Sequence, residues 1–340
     1  MKHISYPKIT QFRNVVSSIN RQITYTGDDV NGDPMYDPSI PKPTIEFKGT
    51  VKLHGTNAGI CYNEKDGIWV QSRTNIITPQ KDNEGFASFV ESNESIFKEF
   101  FTKIHFDNNI TDETISIFGE WAGGKIQKGV GISNIPKSLF IFGVEISNSN
   151  DPDFESYWVD FSNYRSPYNK IYNINDYGVF HINIDFNMPQ LVQNELGDIT
   201  KRIEEECPVA KAFGFSGVGE GVVWSTNYKG ITHKFKVKGE KHSVSKVKKL
   251  ASVDVEKLES INEFIEYAVT ENRFNQAIQI TFGSNKEDID IKKMGDLIRW
   301  MVNDISKEEI DTMSENNLEP KDVNKYISTK TREMFFALKI

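Results

Sequence analysis

The hydrophobic spacing of this 340-residue chain changes character once, near Lys249, and the change limits which architectures can be built from it. Before that point apolar residues alternate or fall in short blocks. Ile45-Glu46-Phe47-Lys48-Gly49-Thr50-Val51 alternates with period two, and Gly59-Ile60-Cys61-Tyr62 and Ile68-Trp69-Val70-Gln71-Ser72 follow it, with a hairpin turn expected over Asn63 to Gly67. Ser88 to Ile104 has helical spacing through Phe89, Ile96, Phe97 and Phe100, whereas Ser116–Trp121 and Leu139–Ile146 read as buried strands. A helix is expected over Leu191–Glu205, and Gly221–Trp224 with His233–Lys238 reads as an antiparallel pair joined through Asn227 to Gly230. Beyond Lys249 apolar residues recur at three and four: Leu258, Ile261, Ile265 and Ala268, then Ile291, Met294, Ile298, Met301 and Ile305, with a last segment through Val323, Tyr326, Ile327, Met334, Phe335 and Leu338. The expectation is an α+β protein, with residues 1–245 an antiparallel-sheet domain with flanking helices and residues 246–340 a small all-helical domain.

Hydrophobic content of 38% is adequate for two packed cores at this length. No run of eighteen apolar residues occurs, and the start Met1-Lys2-His3-Ile4-Ser5 lacks the apolar stretch of a secretory signal, so a soluble, cytoplasmic protein without membrane contact is expected. Two isolated cysteines, Cys61 and Cys207, exclude a disulfide framework, and reduced thiols are expected. Residues 26–45, rich in Gly, Asp and Pro, read as an exposed loop. The formal charge of −8 weighs against a polyanionic partner only in sum, because charge acts over a Debye length of about 8–10 Å. Lys229, Lys234, Lys236, Lys238, Lys241, Lys246, Lys248 and Lys249 form the one strongly basic stretch, which suits either a solvated face or phosphate binding.

The residues able to do chemistry begin with Lys52 in Lys52-Leu53-His54-Gly55-Thr56-Asn57, expected at a strand end, with a glycine three residues on that lets backbone turn beside a phosphate. An ordinary lysine, of pKa about 10.4, is protonated at neutral pH. Nearby cations would lower it, and Lys234, Lys236 or a divalent metal are the candidates. Lys48 is a rival nucleophile without a matching glycine. Arg73 ends a strand at a turn, where a guanidinium can fork onto a phosphate or simply face water. Glu120 and Glu220 sit among glycines and apolar residues. A carboxylate there wants a cation, a ribose hydroxyl or hydrated magnesium, and a buried salt bridge serves equally. Phe142, expected at the end of a buried strand, is core material or a platform for a purine. His54 is structural or catalytic. No His-x-x-x-His or Cys-x-x-Cys spacing suggests a permanently held metal.

Taken in order, Lys52-Leu53-His54-Gly55-Thr56-Asn57, Ser72-Arg73-Thr74, Phe118-Gly119-Glu120-Trp121-Ala122-Gly123, Ile141-Phe142, Glu220-Gly221-Val222-Val223 and Lys234-Phe235-Lys236 resemble the six motifs of covalent polynucleotide ligases. The likeness is to the RNA ligase 2 family of bacteriophages, through the histidine before the glycine of the first motif and through Ala122-Gly123-Gly124-Lys125-Ile126-Gln127-Lys128. The resemblance implies an ATP-dependent RNA ligase that carries AMP covalently on Lys52, uses Mg2+ or Mn2+, and seals 5′-phosphate to 3′-hydroxyl RNA ends, with nicked duplex RNA the expected partner of a monomer. It further implies catalysis by Lys52, His54, Glu220, Lys234 and Lys236, with Glu120 and Glu220 toward the metal. Lys52, Leu53, Asn57, Arg73, Glu120, Phe142, Glu220, Lys234 and Lys236 would hold the nucleotide, Phe142 by stacking on adenine. A DNA ligase or capping guanylyltransferase sharing the same catalytic domain is the alternative enzyme. An RNA-binding protein with a decayed ligase domain is the alternative of another class. The region after Lys249 lacks the closely spaced strands of an OB-fold, which favours the RNA ligase.

Overall fold

The computed structural model describes residues 1–148, 151, 153–166, 168, 170–242, 261–283, 289–315 and 318–338. Lys246, Lys248, Lys249 and Leu258, together with the expected boundary at 245/246, lie outside the described residues. Backbone contacts divide the chain into two compact units, Met1–Gly239 and Glu240–Ile340.

The first unit opens with helix α1 (Phe12–Thr24) and a short hairpin of β1 (Tyr25–Asp28) and β2 (Pro34–Tyr36). Residues 26–45, read as a loop, are mostly exposed as expected but partly paired, and their end, Thr44 and buried Ile45, already belongs to β3. Strands β3 (Thr44–Lys52), β4 (Thr56–Asn63), β5 (Gly67–Gln71) and β6 (Ile76–Ile77) come next, then helices α2 (Phe86–Ser92) and α3 (Glu94–Asn108). The single helix expected over Ser88–Ile104 is thus two, because Asn93 leaves helical geometry at φ −125, ψ 25. Strands β7 (Thr114–Ala122), β8 (Ser138–Ser147), β9 (Tyr157–Trp158), β10 (Ile171–Asn173) and β11 (Val179–Asp185) lead to α4 (Gln193–Glu205) and α5 (Pro208–Ala212), and β12 (Gly221–Tyr228) and β13 (Ile231–Lys238) end the unit.

These strands form two large sheets. One is ordered β10-β8-β7-β4-β5-β6, with β9 on β8, and the other β11-β3-β12-β13. The first is antiparallel except where β10 runs parallel to β8. In β3, Ile45, Phe47 and Val51 are buried while Lys48, Thr50 and Lys52 on the opposite face stay half-buried, as period-two alternation requires. Each sheet has its own apolar core. Phe97, Phe101 and Ile104 of α3 pack with Ile60, Ile115 and Ile117 of the larger sheet, and Ile19 of α1 and Leu196 of α4 pack with Phe47, Trp224 and Phe235 of the smaller. Both cysteines are free and buried, and burial pushes the Cys61 thiol up to about 12.

The second unit is helical: α6 (Ile261–Ala268), α7 (Glu271–Phe282), α8 (Met294–Glu308), α9 (Ile310–Glu315) and α10 (Pro320–Ala337). Its core gathers Phe264, Phe274, Leu297, Met301, Ile305, Val323, Ile327 and Phe335. The expected seam through Ile298 and Ile291 runs instead through Leu297, Met301 and Ile305, one i, i+4, i+8 row. Ile291 falls in an exposed turn ahead of α8. Buried Arg273 of α7 joins three helices, donating to the Ala268 carbonyl of α6 at 2.5 Å, to Asp304 of α8 at 2.9 Å and to Glu309 between α8 and α9 at 3.0 Å. No helix among the described residues is long and apolar enough to cross a membrane.

Candidate active site

Lys52 is the last residue of β3, and the next three residues carry the chain out of the smaller sheet into β4 of the larger one. The tract Leu53-His54-Gly55 is therefore the crossing between the two sheets. Gly55 has to be glycine, because a Cβ there would stand 2.5 Å from the Trp121 carbonyl oxygen. That close approach lets the Gly55 N–H donate to Glu120 Oε1 at 2.8 Å. Leu53 is buried in the core, so only its backbone is available to a ligand. Asn57, half-buried, lies in register opposite Glu120 across the β4–β7 ladder.

Register also sets what stands beside Lys52. Gly221 of β12 pairs with Lys52 on one side and with Lys238 of β13 on the other, so the two lysines flank the residue after Glu220. Gly221 takes φ +150 with a Cβ position that collides with the Val237 carbonyl oxygen, which only glycine tolerates. The outcome is a compact cluster. Lys52 Nζ donates to Glu220 Oε2 at 2.8 Å, Lys238 Nζ lies 3.0 Å from Glu220 Oε1, and His54 Nδ1 lies 3.4 Å from Oε2. Glu220 is 2% exposed while Lys52 keeps 21%, so the carboxylate lies at the floor and the amine at the rim.

The two carboxylates respond in opposite directions. Burial alone would raise Glu220, but Lys52, Lys238 and His54 outweigh it and hold the group well below the usual carboxylate range. Glu120 is raised by burial; Lys52 pulls it back, and the negative charge of Glu220 pushes it up again. One acid is thus firmly ionised and the other more readily protonated, a split typical of sites that bind charge and move protons.

The cations expected beside Lys52 were Lys234 and Lys236; the geometry puts Lys238 there. All three lie on one face of β13, because residues two apart along a strand point the same way. Lys234 pairs with Ser225, which pairs in turn with Lys48, four residues from Lys52 and so about 13 Å along the strand at about 3.3 Å per residue. Its ammonium is committed elsewhere, donating to the Tyr6 hydroxyl at 2.8 Å and standing 3.6 Å from the Trp158 ring centroid. Lys236 occupies the row between, opposite Val223 and then Thr50. Phe142, expected at a strand end, sits within β8 at a bulge: Gly143 pairs with Phe118 and Ile141 with Gly119, which leaves Phe142 without a partner on β7. Arg73 is exposed in the turn after β5. Among the described residues, no group of three or more His, Cys, Asp or Glu is arranged to hold a metal.

A family model described as RNA ligase matches residues 45–248, well over half of the chain. The chain belongs to the RNA ligase family. Among solved structures it is similar to the Naegleria gruberi RNA ligase with pyrophosphate, at 14% identity and a TM-score of 0.39 over 69% of this chain and 56% of that one. Mutants of the same Naegleria enzyme match comparably at 14% identity. The one with ATP and manganese has a TM-score of 0.41 over 70% of this chain and 56% of its own, and one with AMP and manganese 0.39 over 69% and 56%. The chain spans only about 56% of the length of these relatives. A comparison with curated proteins found none that matches.

Proposed function

We propose that the protein is an ATP-dependent RNA ligase that works through a lysine-adenylate, with Lys52 as the nucleophile. The observation that carries this reading is the partly exposed Lys52 amine, bonded to a buried carboxylate that Lys238 partly neutralises. A lone buried carboxylate would hold the Lys52 proton tightly. Sharing Glu220 with Lys238 weakens that hold, so the amine can lose its proton to water before the nitrogen attacks, while Glu220 stays ionised. The new bond is N–P at the α-phosphorus, the bond broken is P–O, and pyrophosphate departs with the electron pair. AMP then passes to an RNA 5′-phosphate, and a 3′-hydroxyl displaces it to leave a phosphodiester.

Lys238 and Lys236, on the cleft face of β13, meet the charge that develops on the phosphate oxygens, while Glu120 and Asn57, opposite each other, suit ribose hydroxyls. Phe142, unpaired at its bulge, offers the ring for the base. Glu220 and Glu120 also suit Mg2+ or Mn2+, since such ions take one or two carboxylates and complete their oxygen shell with substrate phosphates and water. When bound, the ion would supply positive charge against the phosphates. The helical unit is assigned to gripping RNA near a nick, so that a chain ending at Gly239 adenylates normally and seals poorly.

Incubation with α-labelled ATP, GTP and NAD tests the reading and separates it from capping and NAD-dependent joining. Label from ATP alone is expected on the wild-type protein, and none on Lys52→Ala, which should still join RNA supplied already adenylated. Labelling of Lys52→Ala at the wild-type rate overturns the assignment.

A further inference from the structure

The first unit holds a second cluster of which the chemistry outlined above uses only Phe142. The half-buried Tyr6 places its ring edge-on to three aromatics, with centroid separations of 5.1 Å to Phe118, 5.0 Å to Phe142 and 5.4 Å to Trp158. Its hydroxyl accepts from Lys234 Nζ at 2.8 Å, and that nitrogen lies 4.5 Å from the Tyr6 ring centroid as well as 3.6 Å from that of Trp158. A cation withdrawn from water between two ring faces is held firmly. Burial pushes the Lys234 ammonium down to about 7, against the pull of Glu145, and burial with Glu145 and Glu120 raises the Tyr6 phenol. Tyr6, Lys234, Trp158 and Phe142 thus form one contiguous cluster.

The segment that carries Tyr6 is fixed to both sheets. On the larger sheet, the side-chain amide of buried Gln71, at the end of β5, accepts from the Ile4 N–H at 3.0 Å and donates to the Ile4 carbonyl, and the His3 ring meets the Ser72 carbonyl at 3.1 Å. On the smaller sheet, the Thr10 N–H donates to the Lys234 carbonyl and the Lys236 N–H to the Thr10 carbonyl, each at 3.2 Å. Residues 3–10 therefore staple one sheet to the other. Phe142 has no ladder partner on β7; its ring packs against the core of the smaller sheet, and Tyr6 adds a lateral, edge-on contact.

We propose that residues 3–10 are a clasp across the nucleotide cleft in which Lys234 and Tyr6 are positioning residues. Lys234 holds Tyr6, Tyr6 holds the ring of Phe142 at the angle on which a purine stacks, and neither touches a phosphate. The inference rests on the reading of Phe142 as the platform for the base.

ATP–pyrophosphate exchange by the full-length protein tests this with Lys234→Met, Tyr6→Ala, Tyr6→Phe and Phe142→Ala. Lys234→Met and Tyr6→Ala are each expected to raise KM for ATP about tenfold while kcat stays within about threefold of wild type. Tyr6→Phe keeps the ring and loses only the hydroxyl, so its KM should rise about threefold. The double variant Lys234→Met/Tyr6→Ala should be no worse than the worse single one, because both act through a single contact. A multiplicative double, an unchanged KM in Lys234→Met, or a loss confined to kcat overturns the clasp, the last being the signature of a phosphate contact. A KM that falls also overturns it, showing a segment that obstructs the pocket. Phe142→Ala separates the two possible failures. If it leaves KM unchanged, the base platform falls and the clasp with it; if it raises KM while Lys234→Met does not, the clasp alone falls. Should Tyr6→Ala fail to fold, Tyr6→Phe and Lys234→Met, which keep side-chain volume, decide the matter.

Discussion

Glu220→Gln keeps the shape of the central side chain and removes one negative charge. Lys52, Lys238 and His54, at 2.8, 3.0 and 3.4 Å, then lose their common anion. Breaking a buried ion pair by removing one partner costs about 3–5 kcal/mol. Lys52 and Lys238 keep 21% and 20% of their side chains exposed, so water recovers part of the loss. The lower end, about 3 kcal/mol, is therefore the expected destabilisation. For a unit of this size each kcal/mol moves Tm by about 2–4 °C, which gives a drop of about 6–12 °C. The pH dependence follows from the sign of the shift. Glu220 has a native pKa well below its ordinary 4.5, so its contribution is complete above pH 4.5 and is lost as pH falls through the depressed native value. Thermal melts followed by near-ultraviolet circular dichroism from pH 8 to 3 should show a full gap between the two proteins at pH 7 that closes on acidification. Melting within about 1 °C of wild type at pH 7, or a gap that widens toward acid, refutes the reasoning.

Three further outcomes are expected. Lys238→Met should slow adenylation by about 100-fold or more in folded protein, and a rate within about threefold of wild type would remove Lys238 from the site. Gly221→Ala puts a Cβ against the Val237 carbonyl at φ +150 and shifts the row that aligns Lys52 with Lys238. About 100-fold slower adenylation is expected in single-turnover labelling, and an unaffected rate would show that the row tolerates displacement. Arg273→Met removes the buried cation that bonds both Asp304 and Glu309, so urea unfolding of the helical unit should shift by about 3–5 kcal/mol, and a shift below about 1 kcal/mol would mean the pair is replaceable.

Most of the longer strands were readable, β3 from period-two alternation and β7 and β8 from short apolar blocks, and Lys52 was readable at a strand end because Ile45–Val51 alternates right up to it; β6, β9, β10 and β11 were not. The identity of its neighbouring cation was not. Lys234, Lys236 and Lys238 share one face, and only strand register distinguishes them. A usable signal was present in Lys229-Gly230, since a two-residue turn with both residues at positive φ pairs Tyr228 with Ile231 and thereby brings Gly221 opposite Lys238. The bulge that frees Phe142 has no pattern in sequence, because one extra residue in β8 leaves the apolar run unbroken. Tyr6 was invisible for another reason: it lies in a short irregular segment, and its own partners, Lys234 and Phe142, are more than a hundred residues away. In the helical unit the spacing located the helices, but Leu297 and Ile298 are adjacent and equally apolar, and packing alone chose Leu297 for the core.

The central claim is that the Lys52 amine becomes covalently charged with AMP. Intact mass spectrometry after incubation with ATP and magnesium or manganese, followed by peptide mapping, tests it directly. The account predicts one AMP adduct, located on Lys52 and released as ATP by added pyrophosphate. No adduct in folded protein under either metal, or an adduct on another lysine, would contradict it.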